Sequence, residues 1–189
     1  MSRDPTPQVA RSIGVLVLGL GNVLLGDDGL GAAAIARVER DYHIPSGVRI
    51  EDGGTLGLSL LNLIADSDHV ILVDAVRTDD APGTLVRIDG ADVTDAVRDR
   101  LSPHQIGVAD LLEAARLIDR YPSSVTLLGL VPDVIDLAVV RSHAVESRID
   151  ELVGAVVREV RRLGYEVRPE TQAAGRAHPV HNLARYFGM

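Results

Sequence analysis

An apolar run, Ile13 to Leu18, leads directly into Gly19-Leu20-Gly21-Asn22-Val23-Leu24-Leu25-Gly26-Asp27-Asp28-Gly29-Leu30-Gly31. The pattern predicts a strand, a glycine-rich turn and a helix that opens on two carboxylates. Glycines let the backbone turn tightly and approach a ligand closely. A dinucleotide site, however, wants a third glycine at the sixth place, and Leu24 stands there. The turn therefore offers acid rather than a phosphate cradle, at the mouth of a strand, where parallel sheets put their chemistry.

The same alternation continues along the chain and predicts the fold. Gly31 to Tyr42 reads as a helix ended by Pro45, and Val48 to Glu51 as a short strand that delivers Asp52 into Gly53-Gly54-Thr55. Leu56 to Ala65 reads as a second helix, and His69 to Asp74 as the most apolar and central strand. After the breakers Asp79, Asp80, Pro82 and Gly83, Thr84 to Ile88 alternates as an edge strand suited to antiparallel pairing. Asp89 to His104 is the longest polar stretch. Ile106 to Ile118 reads as a helix, Ser123 to Val131 as the fifth strand, and Ser142 to Leu163 as one long helix with its apolar residues at three- and four-residue steps. Arg158, Arg161 and Arg162 fall on that helix's solvated face. The expected fold class is α/β, a three-layer α/β/α sandwich around a twisted, mostly parallel five-stranded sheet with one antiparallel edge strand. Residues 1–12 are expected to form a flexible N-terminal segment, 13–167 the single domain, and 168–189 a mobile C-terminal tail.

Composition narrows the chemistry. The 189 residues are 46% hydrophobic, enough for one sizeable core. With 27 acidic against 19 basic side chains the net charge is −8, which disfavours nucleic acid and anionic membranes as partners. There is no cysteine, so thiol nucleophiles, zinc ribbons, iron–sulfur sites and disulfide frameworks are excluded. No signal-peptide pattern and no apolar run of membrane-spanning length is present, and a cytoplasmic location is expected. Neither a Gly-x-Ser-x-Gly elbow nor a His-Glu-x-x-His helix supports a serine or zincin mechanism.

Two further places could join the acidic turn. The third strand ends in Asp74, and an aspartate closing so apolar a strand is costly unless it has a partner. A polar loop carries Ser102-Pro103-His104-Gln105. If the sheet is parallel, both strand ends and the loop meet along one edge of the sheet. Asp28, Asp74 and His104 then give two oxygens and one nitrogen, a set suited to a divalent first-row metal with coordination positions left open. Asp27 reads as a cap of the following helix. His69 reads as a strand-edge residue, His43 and His143 as surface, and His178 with His181 as a weak metal clip.

Taken in order, Gly19-x-Gly21-Asn22, Gly26-Asp27-Asp28-Gly29-x-Gly31, Asp52-Gly53-Gly54-Thr55, Val73-Asp74-Ala75, Pro82-Gly83-Thr84 and Ser102-Pro103-His104-Gln105 resemble the motifs of the nickel-iron hydrogenase maturation endopeptidases. The resemblance runs from about Val15 to about Gly164. It implies an endopeptidase that removes a short C-terminal extension from the hydrogenase large-subunit precursor after nickel has been inserted. The nickel is implied to come with that precursor and to serve as the recognition element, contacted by Asp28, Asp74 and His104. The first of these is glutamate in some members, one methylene longer than Asp28. The resemblance also marks the Asp52 turn as functional. Asp52 has two readings, a catalytic group that polarises water or a turn residue bonded to its own backbone. Gly53, Gly54 and Thr55 are expected to shape the substrate-binding cleft. The expected catalytic set is Asp28, Asp52 and Asp74. The rival functions are a nickel checkpoint or adaptor that binds the loaded precursor without cutting it, and a nucleotide-binding enzyme that Leu24 argues against. Oligomeric state is left open.

Overall fold

The computed structural model describes residues 11–54, 60–90, 92–93 and 106–170. Its centre is a five-stranded sheet of β1 (Ile13–Leu20), β3 (Val48–Gly54), β4 (Ser67–Ala75), β5 (Leu85–Asp89) and β6 (Ser124–Leu130), in the order β3-β1-β4-β6-β5. The β1/β3, β1/β4 and β4/β6 pairs are parallel, and β5 closes one edge antiparallel to β6. The fold class read from the sequence is the one observed, with β4 in the middle of the sheet.

Burial on both faces explains why the strands are so apolar. Val15, Val17, Ile71, Val73, Leu128 and Leu130 point into one core, which α1 (Leu30–Asp41) and α5 (Ile149–Arg162) cover. Leu16, Leu18, Val70, Leu72, Val125 and Leu127 alternate into the other, beneath α2 (Leu61–Ala65) and α3 (Ile106–Leu117). The helices meet these faces through helical spacing: Leu30, Ala34, Ile35 and Val38 on α1, and Ile149, Leu152, Val153, Val156, Val157 and Val160 on α5 are buried. Each such leucine, isoleucine or valine contributes about 1.5–3 kcal/mol relative to exposure. Among the described residues no helix is long and apolar enough to cross a membrane.

Three features differ from the sequence reading. The long helix expected over Ser142 to Leu163 is two helices, α4 (His143–Glu146) and α5, separated at Ser147 and Arg148. Ser147 Oγ donates to the Ala144 carbonyl at 3.3 Å, and the backbone bond of Arg148 shortens to the third residue back, on Val145. Tyr42, expected to end the first helix, instead joins His43 in a small strand, β2 (Tyr42–His43), antiparallel to β7 (Arg168–Pro169). Arg168 and Pro169, at the head of the expected tail, are thus paired. The polar face of α5 is also not simple solvated surface. Arg161 donates through Nε and Nη2 to the Val167 carbonyl at 3.0 and 2.6 Å, and Arg162 pairs with buried Glu159.

Candidate active site

The parallel register aligns the carboxyl ends of three neighbouring strands. Gly19 of β1 lies opposite Asp52 of β3 on one side and Val73 of β4 on the other, and Asp74 lies opposite Gly129 of β6. Between Gly19 and Leu20 the register to β3 shifts, because Leu20 pairs with Gly54 and Gly53 is the extra residue of a bulge. Asp52 and Asp74 therefore flank the exit of β1, where the glycine-rich turn begins.

That turn can be built only with glycine at two points. Gly21 has φ +101°, and a Cβ there would stand 1.9 Å from the Asp28 carbonyl oxygen. Gly31, in the first turn of α1, would place a Cβ 2.2 Å from the Leu20 carbonyl and 2.5 Å from that of Val73. The helix thus sits directly on the ends of β1 and β4. Asp28 belongs to a single 3-10 turn, Gly26–Gly29, that packs against β4 just before α1. Its Oδ2 accepts the Asn22 N–H at 2.8 Å, while Asn22 Oδ1 accepts the Leu24 N–H at 3.0 Å. Asp28 is 1% exposed and Asp74 fully buried, with Asp74 Oδ1 accepting the Ala75 N–H at 2.7 Å. Both carboxylates are thus buried at the same end of the sheet and oriented by main-chain donors.

Gly129 completes this arrangement and was not singled out from the sequence. A Cβ there would stand 2.1 Å from the Asp74 carbonyl oxygen, so any other residue would push β6 away from β4 at Asp74. The available signal was an isolated glycine inside an otherwise apolar strand, which marks close backbone approach.

Asp27 behaves differently from its expected helix-capping role. The N-cap of α1 is Gly29, without a side-chain cap. Asp27, fully buried, reaches the segment after β6 instead: Oδ2 accepts the Asp133 and Val134 N–H groups at 2.8 and 3.0 Å, and Oδ1 accepts the Ser142 N–H at 2.7 Å. It staples one active-end loop to another. A segment without regular secondary structure is thereby fixed by charge-assisted bonds to one carboxylate.

Asp52 is exposed, and its Oδ1 accepts the Gly54 N–H at 3.0 Å, the local bond of an Asx turn. Gly53 is buried against Leu18, and Gly54 has φ +43°. Thr55 and His104 lie outside the described residues, as do His178 and His181. His69 Nδ1 is 2.8 Å from Ser124 Oγ, on the neighbouring strand, whereas His43 and His143 are exposed. Among the described residues no three His, Cys, Asp or Glu side chains gather into a metal-holding group, so a third donor beside Asp28 and Asp74 would have to come from outside them. A cleft beyond the ends of β4 and β6 is lined by Arg77, Thr78, Val131, Pro132, Asp133 and Ile135.

Comparison with known proteins identifies this architecture. A family model described as hydrogenase maturation protease matches residues 33–159, a span that includes Asp52, Asp74 and His104 and starts after Asp28. The hydrogenase 2 maturation protease of Escherichia coli (strain K12) is 36% identical over 156 residues, 82% of this chain and 95% of that protein. The hydrogenase expression/formation protein HupD of Rhodobacter capsulatus is 39% identical over 155 residues, 81% of this chain and 74% of that one. Among solved structures, the hydrogenase maturating endopeptidase HybD from E. coli superposes with a TM-score of 0.80 at 35% identity, covering 84% of this chain and 98% of its own. The [NiFe] hydrogenase maturation protease HybD from Thermococcus kodakarensis superposes at 0.65 with 25% identity, covering 78% and 99%. At this identity and coverage the chain belongs to the hydrogenase maturation protease family and is a peptide hydrolase.

Proposed function

We propose that this protease removes a C-terminal extension from the precursor of a nickel-iron hydrogenase large subunit, and that it recognises the precursor by the nickel already inserted there. The observation that carries this reading is the pair of buried carboxylates, Asp28 and Asp74, held by main-chain N–H groups at adjoining strand ends. Carboxylate oxygens oriented by backbone donors at neighbouring strand ends suit a cation that arrives with the substrate. His104 is the proposed third donor, and its imidazole nitrogen suits nickel as well as the carboxylates do.

A nickel ion held by the substrate would supply Lewis-acid polarisation near the scissile carbonyl. The chain's own residues do the rest. Asp28 and Asp74 orient the substrate by completing its metal coordination, and Gly53, Gly54 and Thr55 shape the cleft beside it. Asp52 is the proposed base: solvent reaches it, and its Oδ1 already holds the turn through Gly54, leaving the other oxygen to take a proton from water. The water oxygen then bonds to the carbonyl carbon, the C–N bond breaks, and the proton passes to the departing amine.

The test is to mix the purified protein with nickel-loaded and nickel-free precursor and to weigh the products by mass spectrometry. Loss of a C-terminal peptide from the loaded form alone is the expected result. Equal cleavage of both forms would overturn recognition through nickel, and binding without any released peptide would favour the adaptor role.

A further inference from the structure

Two loops at the carboxyl end of the sheet expose apolar side chains that neither core uses. Val23 and Leu24, on the turn after β1, are each 53% exposed. Val134, Leu137, Val139 and Val140, on the segment after β6, are 50%, 81%, 74% and 77% exposed. The two loops form one surface. Ala138 donates its N–H to the Leu24 carbonyl at 3.0 Å, Gly26 donates to the Ala138 carbonyl at 2.6 Å, and Leu25 and Ala138 form a parallel bridge. Asp27 fastens the same segment at Asp133, Val134 and Ser142.

Scattered single apolar residues on a surface are ordinary. A cluster on loops fastened this firmly is not, because it remains hydrated at a cost that folding does not recover. We infer that this platform docks the body of the substrate precursor, next to the extension to be cut, through an apolar face rimmed by basic side chains. The inference rests on the substrate proposed above. Continuity supports that occupant: Asn22, whose N–H holds Asp28, immediately precedes Val23, so the platform adjoins the carboxylate assigned to the proposed substrate. Charge supports it as well. Asp133 and Asp136 stand exposed on the same segment of a chain with net charge −8, so the complementary face is apolar with positive charge around it. A second copy of this chain would instead bring the same acids together.

The experiment compares the wild type with a Leu137→Asp, Val140→Asp variant, whose altered side chains already face solvent and leave the core untouched. A thermal melt within about 2 °C of the wild type verifies the fold. Cleavage of nickel-loaded precursor is followed over a range of concentrations, and binding of the precursor to each immobilised protein is measured alongside. The platform predicts a KM raised about tenfold or more with kcat within about twofold, and weaker binding to match. Unchanged KM and binding, with the wild type cleaving normally, would overturn the platform while leaving the substrate reading intact. A wild type that neither binds nor cuts the precursor would overturn both. A wild-type dimer in sedimentation that the substitutions dissolve would make a second copy the occupant and overturn the proposal.

Discussion

Among the described residues, acid is buried in two places, with different donors at each. At the carboxyl end of the sheet, Asp27, Asp28 and Asp74 accept hydrogen bonds from main-chain N–H groups of Asp133, Val134, Ser142, Asn22 and Ala75. On α5, Glu159 is 2% exposed and is held by two guanidiniums, Arg87 Nη1 at 2.6 Å and Arg162 Nη2 at 2.7 Å. Backbone donors fix a carboxylate's direction. Guanidiniums neutralise it. The first arrangement orients carboxylates at the sheet's end, where the proposed substrate would meet them, and the second ties edge strand β5 to α5, with Glu159 and Asp89 together balancing Arg87 and Arg162. Burial of acid therefore distinguishes the site from the scaffold only when the donors are known.

Substitutions that remove charge but keep shape should separate the two regions most sharply. Asp28→Asn and Asp74→Asn retain an oxygen for Asn22 and Ala75 N–H and remove the anion. The proposed site predicts a loss of about 100-fold or more in precursor cleavage, comparable to removing one electrostatic stabiliser, with melting temperatures changed by only a few degrees. Glu159→Gln should do the reverse, leaving cleavage within about twofold. Activity assays beside thermal melts measure both. Full activity in Asp74→Asn would break the comparison, since that anion would then have no role beyond the fold.

Asp27→Asn comes next in size and tests the acid between these extremes. Its two oxygens serve three N–H donors, and an amide necessarily turns NH2 toward at least one of them. The expected cost is about 2–4 kcal/mol by chemical denaturation, from a lost charge-assisted bond and an opposed buried donor. The segment 133–142 should exchange amide hydrogens faster. An unchanged exchange rate there would mean that the Leu25–Ala138 bridge holds the loop without Asp27.

Much of this organisation was legible in the sequence, and what was not has a physical reason. The strand runs were readable because burial on both faces makes them almost wholly apolar, and the alternating element order pointed to a parallel sheet. Asp74 stood out because a carboxylate closing so apolar a strand needs an explanation, and Asp28 because of its place in the glycine-rich motif. Asp27 was legible as structural but not in its partner, because a long-range bond to Asp133 and Ser142 leaves no local spacing to read. The break at Ser147 was hidden because Val145 and Ile149 continue a helical spacing across it, while the Ser147 hydroxyl, bonding to Ala144, ends the first helix. Gly129 was hidden among strand residues because its reason is a carbonyl on a neighbouring strand.

Acid should weaken the scaffold region through Glu159. Burial alone would raise its carboxyl pKa, but the hydrogen bonds from Arg162 and Arg87 outweigh that and hold it at about 2, below the usual value of 4.5. The unfolded chain then binds the proton more readily than the native one, so stability from this group is complete above about pH 4.5 and is lost as pH falls toward about 2. Because both arginines are partly exposed and rehydrate readily, the contribution should be about 2 kcal/mol rather than the full cost of breaking a buried pair. The difference in unfolding free energy between wild type and Glu159→Gln should therefore shrink between pH 5 and pH 2. A constant difference across that range would show that Glu159 acts through packing and not through its charge.

The smallest effect should divide the two guanidiniums from one another. Arg162 is 58% exposed and meets Glu159 as an i,i+3 pair on one helix, so Arg162→Ala should cost about 0.5 kcal/mol. Arg87 is 39% exposed and bridges Glu159 to Asp89, which in turn accepts from Thr126 Oγ1 at 2.8 Å, so it ties helix, edge strand and β6 together. Arg87→Ala should cost about 1–2 kcal/mol, because it leaves buried Glu159 to the more exposed partner and releases Asp89. Unfolding curves of the two variants and of their double mutant measure the split. Were Arg162→Ala the costlier change, the neutralising role would belong to the helix alone, and β5 would be held to α5 by Leu85 and its apolar neighbours rather than by charge.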